Sequence, residues 1–571
     1  MMKRIQEAIV GPFAWAACLV CVGVVERLAI FLQRASLWDD EIFLAVNIAE
    51  RSFRELLGPL SFEQVAPIAF LWLERLFVRL FGVNEYALRL LPLLSGVAAL
   101  PILWYAARRI IGPWPAAVAV GLVSISANSL RYSNEVKPYG VELLITAILL
   151  ALPVLFASGT LTISRSAVFA VAGVASIALS TPAVFCLAAV GATLAGRALL
   201  RRASGREWLL LCAIAACWIG AFAWTYHVFY SPVAESGYMR QFWSGGQLSE
   251  QDDFQRAVNL VANAYVHPLV AIGNSVPDAF YALTFCVLCV GVAAVAASGG
   301  LEMRAFTAAT FLLPIIAAAV GKWGLITRLM MFAVPVMAMV AGVGAFTIAS
   351  LIPIPRLRQT AFALTTVLIL LYPAKAGLYI VRHPEYHSPR EGVRFVLQQF
   401  REGDVLYLYS RAVPAWIFYS SDWKSHERER RQWLQQASAA TGPNAGNIPS
   451  RRTAVVNEGA KLKRPYRGGW EVVGVGEGIF RSIRGPAAGG PDPGWEENEF
   501  RRVAALAPRR VIVVGLSAGA RGVPDLLEYF RSAGARVAAE YTGAFTRAAV
   551  FEMPDKPIAP DQARDLRAMR P

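Results

Sequence analysis

Long apolar runs separated by short polar breaks fill the first two thirds of the chain. Eleven runs, each approaching or exceeding the ~20 residues that cross a hydrocarbon core, predict membrane spans over 8–32, 86–111, 114–130, 138–157, 165–180, 181–200, 206–229, 277–298, 304–321, 327–350 and 358–380. Between the first two the pattern becomes amphipathic. Over 41–57, Ile42, Val46, Ala49, Phe53 and Leu56 recur at helical spacing among Asn47, Glu50, Arg51, Arg54 and Glu55. Over 67–81, Phe70, Leu73, Phe77 and Leu80 alternate with Glu74, Arg75 and Arg79. Both segments predict helices lying in the membrane interface.

After residue 381 the runs shorten and polar residues increase. Strand-like runs at Val405–Ser410, Arg510–Leu516, Ala535–Tyr541 and Ala548–Met553 alternate with helical patterns at Pro389–Phe400 and Pro524–Ala533. That alternation predicts a small α/β domain, with a Gly/Pro-rich loop over 485–495. The expected fold class is a polytopic α-helical membrane protein of about eleven transmembrane helices. Residues 1–380 form its membrane domain, with a first outer loop at 33–85, and residues 381–571 form a soluble α/β domain.

Composition narrows the class further. The 571 residues are 56% hydrophobic and 17% charged, against ~25% charged in soluble domains. Mean hydropathy is +0.46. A disordered chain and a wholly soluble enzyme are excluded. The net charge of +15 fits positive-inside bias and contact with anionic lipid or phosphate. No nucleic-acid motif is present, so no nucleic-acid partner is expected. The seven cysteines all lie in apolar runs and read as small buried hydrophobes. Met1-Met2-Lys3-Arg4 followed by an apolar run resembles a signal peptide, but the run is too long and no A-x-A site closes it, so a retained first span is expected.

Short-loop arginines set the orientation. Arg108, Arg109, Arg197, Arg201, Arg202, Arg206, Arg304, Arg356 and Arg358 share the side of the N-terminus. That side is expected to be cytoplasmic, and the C-terminal domain extracytoplasmic.

Candidate chemistry collects on the other side. Asp39-Asp40-Glu41 stands just beyond the first span. Acids beside a bilayer are costly unless they face water or a cation. They suit either general-base chemistry on a hydroxyl or the start of helix 41–57, capped by Asp39 or Asp40 with Glu41 in its first turn. Arg131-Tyr132-Ser133-Asn134-Glu135-Val136-Lys137-Pro138-Tyr139 forms a short outer loop with two cations. They read either as a phosphate clamp oriented by Glu135 or as snorkelling side chains. Lys322 and Arg328 mark another outer turn. His267, in the loop over 230–276, is a further phosphate contact or a structural histidine. Glu26 and Arg27 are adjacent and need only a mutual pair or snorkelling. None of the five histidines has metal-ligand spacing, and Gly474, Gly476 and Gly478 do not make a nucleotide fingerprint.

A span, then Trp38-x-Asp40-Glu41, then an amphipathic helix resembles the GT-C class of membrane glycosyltransferases. More narrowly, it is similar to bacterial relatives of the protein O-mannosyltransferases and of the lipid A aminoarabinose transferase. Gln64-Val65-Ala66-Pro67 resembles a segment of their first loop, and Glu85–Pro92 the opening of their second span. Arg131–Tyr139 looks like their Arg-Tyr-Ser-x-Glu-x-Arg-Pro-Tyr loop, with Lys137 where arginine is usual. Arg328 followed by Pro335 resembles a late Arg-containing span.

The resemblance implies a sugar carried on polyprenyl phosphate at the outer leaflet of a bacterial inner membrane. It further implies an acceptor hydroxyl on a glycan, lipid or protein, and one inverting displacement. Asp40 aligns with the base, Glu41 helps place the acceptor or the loop, and Asp39 is the substitute base. Arg131, Lys137, Lys322 and Arg328 would hold the donor phosphate, with Glu135, Tyr139 and His267 beside them. No cofactor is required, although some relatives place a divalent cation near such acids. The competing class is a transporter or flippase of lipid-linked sugar. Such a protein would carry its ionisable residues near the midplane.

Overall fold

The computed structural model describes residues 11–157, 159–231, 244–248, 253–270, 276–383, 387–401, 403–409, 412–421, 423, 452–456, 470–474, 495–516 and 523–554. Most of the 485–495 loop, Gly476, Gly478, Asp252 and His426 lie outside them. The chain forms two compact units, residues 1–34 with 51–384 and residues 35–50 with 385–571.

In chain order the helices are α1 (Pro12–Leu32), α2 (Asp39–Glu50), α3 (Ile68–Phe81), α4 (Glu85–Ile110), α5 (Pro113–Ile125), α6 (Ala127–Tyr132), α7 (Tyr139–Leu155), α8 (Ile163–Leu179), α9 (Ala183–Leu200), α10 (Gly205–Thr225), α11 (Phe254–Val270), α12 (Asp278–Ser298), α13 (Leu301–Ala319), α14 (Val334–Ser350) and α15 (Pro355–Arg382). Among the described residues, eight helices are long and apolar enough to cross a membrane, and α5, α7 and α8 are shorter apolar helices. These eleven match the predicted spans.

Sequence chemistry sets many of the ends. Proline opens α1, α5 and α15, where its missing N–H costs nothing. The Asn84 side chain accepts from Ala87 N–H at 3.0 Å and starts α4. The predicted span 114–130 is broken at Ser126, whose extended backbone ends α5 while its side chain caps α6. That break turns the chain into the Arg131–Tyr139 segment.

Within the membrane unit α14 is apolar and buried along most of its length. It packs against α5 and α12. Helices α12 and α14 meet at glycines: a Cβ on Gly291 would lie 2.1 Å from Val340 O, and one on Gly344 2.0 Å from Val287 O. Small residues permit this approach of backbones. Of the seven free cysteines only Cys186 is buried; the other six are exposed on their helices, against the expectation of buried hydrophobes.

The second unit continues with α16 (Pro389–Gln399), β1 (Val405–Leu408), α17 (Val413–Ser420), β2 (Arg452–Val456), β3 (Trp470–Gly474), α18 (Trp495–Ala504), β4 (Arg510–Gly515), α19 (Val523–Ser532), β5 (Arg536–Gly543) and β6 (Thr546–Glu552). The strands form one sheet in the order β3-β2-β1-β4-β6-β5. β3, β2, β1 and β4 run parallel, and β6 is antiparallel to both its neighbours. Four strands follow the predicted runs; β2, β3, α17 and α18 were not foreseen. Tyr407, Val513, Phe530 and Phe551 belong to a core between sheet and helices. The Tyr407 hydroxyl donates to Glu499 Oε2 at 2.5 Å; burial first, and the Glu499 charge second, push the phenol well above its usual range.

Candidate functional site

The cationic segment is built at one end of the membrane unit. Helix α6 ends at Tyr132, and Arg131 makes an ion pair with Glu135 one turn on. Lys137 is buried, and its Nζ donates to Gln64 Oε1 at 2.9 Å. Asn134 Nδ2 donates to Leu130 O at 3.0 Å, and the Tyr132 and Tyr139 rings meet edge to face at 5.0 Å. Lys137 is only 8% exposed, and Arg131 and Lys137 have protein partners at the helix ends.

Arg27 holds this segment from below, and sequence reasoning missed it. It is fully buried. Its Nε donates to Ser133 Oγ at 3.1 Å, Nη1 to Ser124 O at 2.7 Å and to Gly23 O at 2.9 Å, and Nη2 to Val123 O at 3.0 Å. The break at Ser126 leaves the last carbonyls of α5 without helical donors, and the guanidinium fork supplies them. No snorkelling occurs. The one available signal was an arginine five residues inside the end of a span.

His267 lies on α11 rather than in a loop. Asn128 Nδ2 donates to its carbonyl at 3.0 Å, and its ring stands edge-on to Tyr281 at 5.7 Å. Burial lowers its pKa below the usual 6.5. Lys322 is exposed in the turn after α13, where Leu325 N–H donates to Gly246 O at 2.7 Å. Arg328 lies in the 3-10 turn Thr327–Ala333, which packs on α6 and α7.

The acids belong to the other unit. Helix α2 starts at Asp39, not residue 41, and ends at Glu50, not residue 57. Asp39, Asp40 and Glu41 fill its first turn, where the helix dipole favours negative charge. Neither aspartate is the cap. Trp38 O accepts from Ile42 N–H at 2.9 Å, and Glu41 Oε2 reaches back to Trp38 N–H at 3.2 Å. Glu41 thus plays the glutamate part of a capping box and is buried. Asp39 Oδ1 lies 3.9 Å from His387 Nδ1, and Asp40 is partly exposed. Ser36 Oγ donates to Glu391 Oε2 at 3.0 Å, and Leu37 N–H to the Tyr419 hydroxyl at 2.7 Å. Among the described residues no three His, Cys, Asp or Glu side chains gather as a metal site.

Residues 65–227 match the family of dolichyl-phosphate-mannose-protein mannosyltransferases. The whole chain is similar in fold to the crystal structure of ArnT from Cupriavidus metallidurans in the apo state, at 13% identity and a TM-score of 0.51, over 94% of this chain and 98% of that one. The same ArnT bound to undecaprenyl phosphate aligns at 14% identity and a TM-score of 0.45, over the same shares. The oligosaccharyltransferase AglB from Archaeoglobus fulgidus, in complex with an inhibitory peptide and a dolichol-phosphate, aligns at 11% identity and a TM-score of 0.46, over 94% of this chain and 74% of that one. No curated relative matches by sequence.

Proposed function

We propose that this chain, a membrane glycosyltransferase of the GT-C class with a polyprenyl-phosphate sugar donor, moves the sugar to an acceptor hydroxyl in one inverting displacement with Asp40 as general base. The hydroxyl oxygen bonds to the anomeric carbon as the bond to phosphate breaks. The proton goes to the Asp40 carboxylate, and polyprenyl phosphate leaves with its charge. Arg131, Lys137, Lys322 and Arg328 stabilise that charge. Glu135 orients Arg131, and Tyr139 and His267 line the phosphate. Glu41 fixes the helix turn that presents Asp40, and Asp39 stands beside it.

The reaction takes place at the outer face of a bacterial cytoplasmic membrane, on a glycan, lipid or protein acceptor, with the C-terminal domain extracytoplasmic. It needs no cofactor; chelation by EDTA is expected to leave the rate unchanged. The observation that supports the reading is a buried Lys137 and a half-buried Arg131 held within one short segment, because cationic charge kept off the water face of a membrane protein is costly and marks a functional site.

Full-length protein in proteoliposomes, given a panel of polyprenyl-phosphate sugars and a membrane extract as acceptor, tests it. Asp40→Asn should lower transfer by about 100-fold or more with the thermal midpoint unchanged. Transfer retained in Asp40→Asn but lost in Asp39→Asn would move the base by one residue. Transfer at the parent rate in both would overturn the mechanism.

A further inference from the structure

The role of residues 385–571 follows from what they hold. The acidic segment is built into the same compact unit as this region, although about 350 residues separate them in sequence. Three ties fall on almost successive residues. The Ser36 hydroxyl donates to Glu391 at the start of α16. The Leu37 N–H donates to the hydroxyl of Tyr419 on α17 at 2.7 Å. Asp39 lies 3.9 Å from His387 Nδ1. The His387 ring is itself held, stacked on Phe545 at 4.9 Å and 6.1 Å from the Trp38 ring, with its side chain 5% exposed. Helix α2 then packs on α17, the helix that carries Tyr419.

We infer that the C-terminal unit is the platform that positions the catalytic acid, with His387 and Tyr419 as its positioning residues. The inference rests on the reading of Asp40 as base. Asp40 follows Asp39 directly, so any shift of residues 36–39 moves its carboxylate. Misplacement of a reacting group by ~1 Å costs on the order of 100-fold in rate. Neither His387 nor Tyr419 touches reacting atoms; each acts through the backbone and the side chains at residues 37–39. The groups assigned to the donor phosphate all belong to the other unit, so losses here fall on turnover and not on donor binding.

Tyr419→Phe deletes one oxygen. His387→Phe keeps a ring for Phe545 and removes the nitrogen facing Asp39. In proteoliposomes of the full-length protein, each should lower kcat about tenfold, with the donor KM within about twofold and the thermal midpoint held. His387→Gln, whose amide can again face Asp39, should recover part of the loss. Arg536→Ala, at an ion pair with Glu552 on the exposed strand β5, is the control and should turn over like the parent. Parent kcat in Tyr419→Phe and His387→Phe, with Asp40→Asn inactive, would overturn this inference and leave the base in place. A loss of kcat that follows a fall in thermal midpoint, without rescue by His387→Gln, would also overturn it. Full activity in Asp40→Asn would sink the base assignment itself, whatever these variants do.

Discussion

At Arg27 one side chain satisfies the hydrogen bonding of both a broken helix and the segment that carries Arg131 and Lys137. The carbonyls of Val123 and Ser124 lie in the last turn of α5, and Ser133 lies within the Arg131–Tyr139 segment. Arg27→Leu strands these acceptors in the interior and should cost about 2–4 kcal/mol, read by thermal unfolding in detergent. Transfer should fall with it. Arg27→Lys should restore only part, because an ammonium lacks the planar fork. The sequence showed the arginine but not its role, since three of its four acceptors are about a hundred residues away. The motif itself was readable, because Arg131, Glu135 and Lys137 are local. Gly140 completes that picture: a Cβ there would stand 2.7 Å from Tyr132 O and 3.1 Å from Pro92 O, both backbone atoms that cannot step aside. Gly140→Ala is expected to destabilise by about 1–3 kcal/mol and to lower transfer, measured by the same unfolding and transfer assays.

Among the elements, the membrane helices were the most legible, because the hydrocarbon core demands a helix wherever an apolar run is long enough. Their ends and breaks were less so. The predicted helix 41–57 stops at Glu50 because Ser52 and Glu55 form a new box: Ser52 N–H donates to Glu55 Oε2 at 2.8 Å, and Glu55 N–H to Ser52 Oγ at 3.3 Å. The same chemistry opens α2 through Glu41. Glu41→Ala should therefore cost about 1 kcal/mol and lower kcat, whereas Glu41→Gln, which keeps an acceptor for Trp38 N–H, should retain most of both. Helix α16 adds a pH dependence. Burial raises the Glu391 pKa, but the hydrogen bond and charge of Arg390 and the Ser36 hydroxyl outweigh it, and the carboxyl sits below its usual 4.5. A depressed carboxylate stabilises the fold fully above pH 4.5 and loses that contribution as pH falls through the lowered value. The acid limb of a thermal-midpoint profile should thus be shallower in Glu391→Gln than in the parent, and identical limbs would contradict the tie to Ser36.

At the scale of the whole molecule the sequence placed a change of character near residue 381, and strands β1, β4, β5 and β6 were readable as alternating apolar runs. β2 and β3 were not, because five residues each within Arg- and Gly-rich sequence carry too little periodicity to register. The assignment of residues 35–50 to the C-terminal unit was invisible for a different reason. An apolar helical face announces that it will be buried, but not against what. The amphipathic pattern of α2 read as a face for lipid, whereas Ile42, Leu44, Ala45, Val46 and Ile48 are all buried in the protein and the helix packs on α17. A cooperative unit exchanges its amide hydrogens as a unit. In detergent, with increasing denaturant, the amides of 37–49 should lose protection in step with those of β1 and β4, because all three open together. Tyr419→Phe should loosen 37–49 selectively, since it removes the acceptor of Leu37 N–H and leaves the sheet ladder intact. Protection of 37–49 that instead tracks α4 and α5 through the whole denaturant series would assign the acidic helix to the membrane unit and remove the support proposed for Asp40.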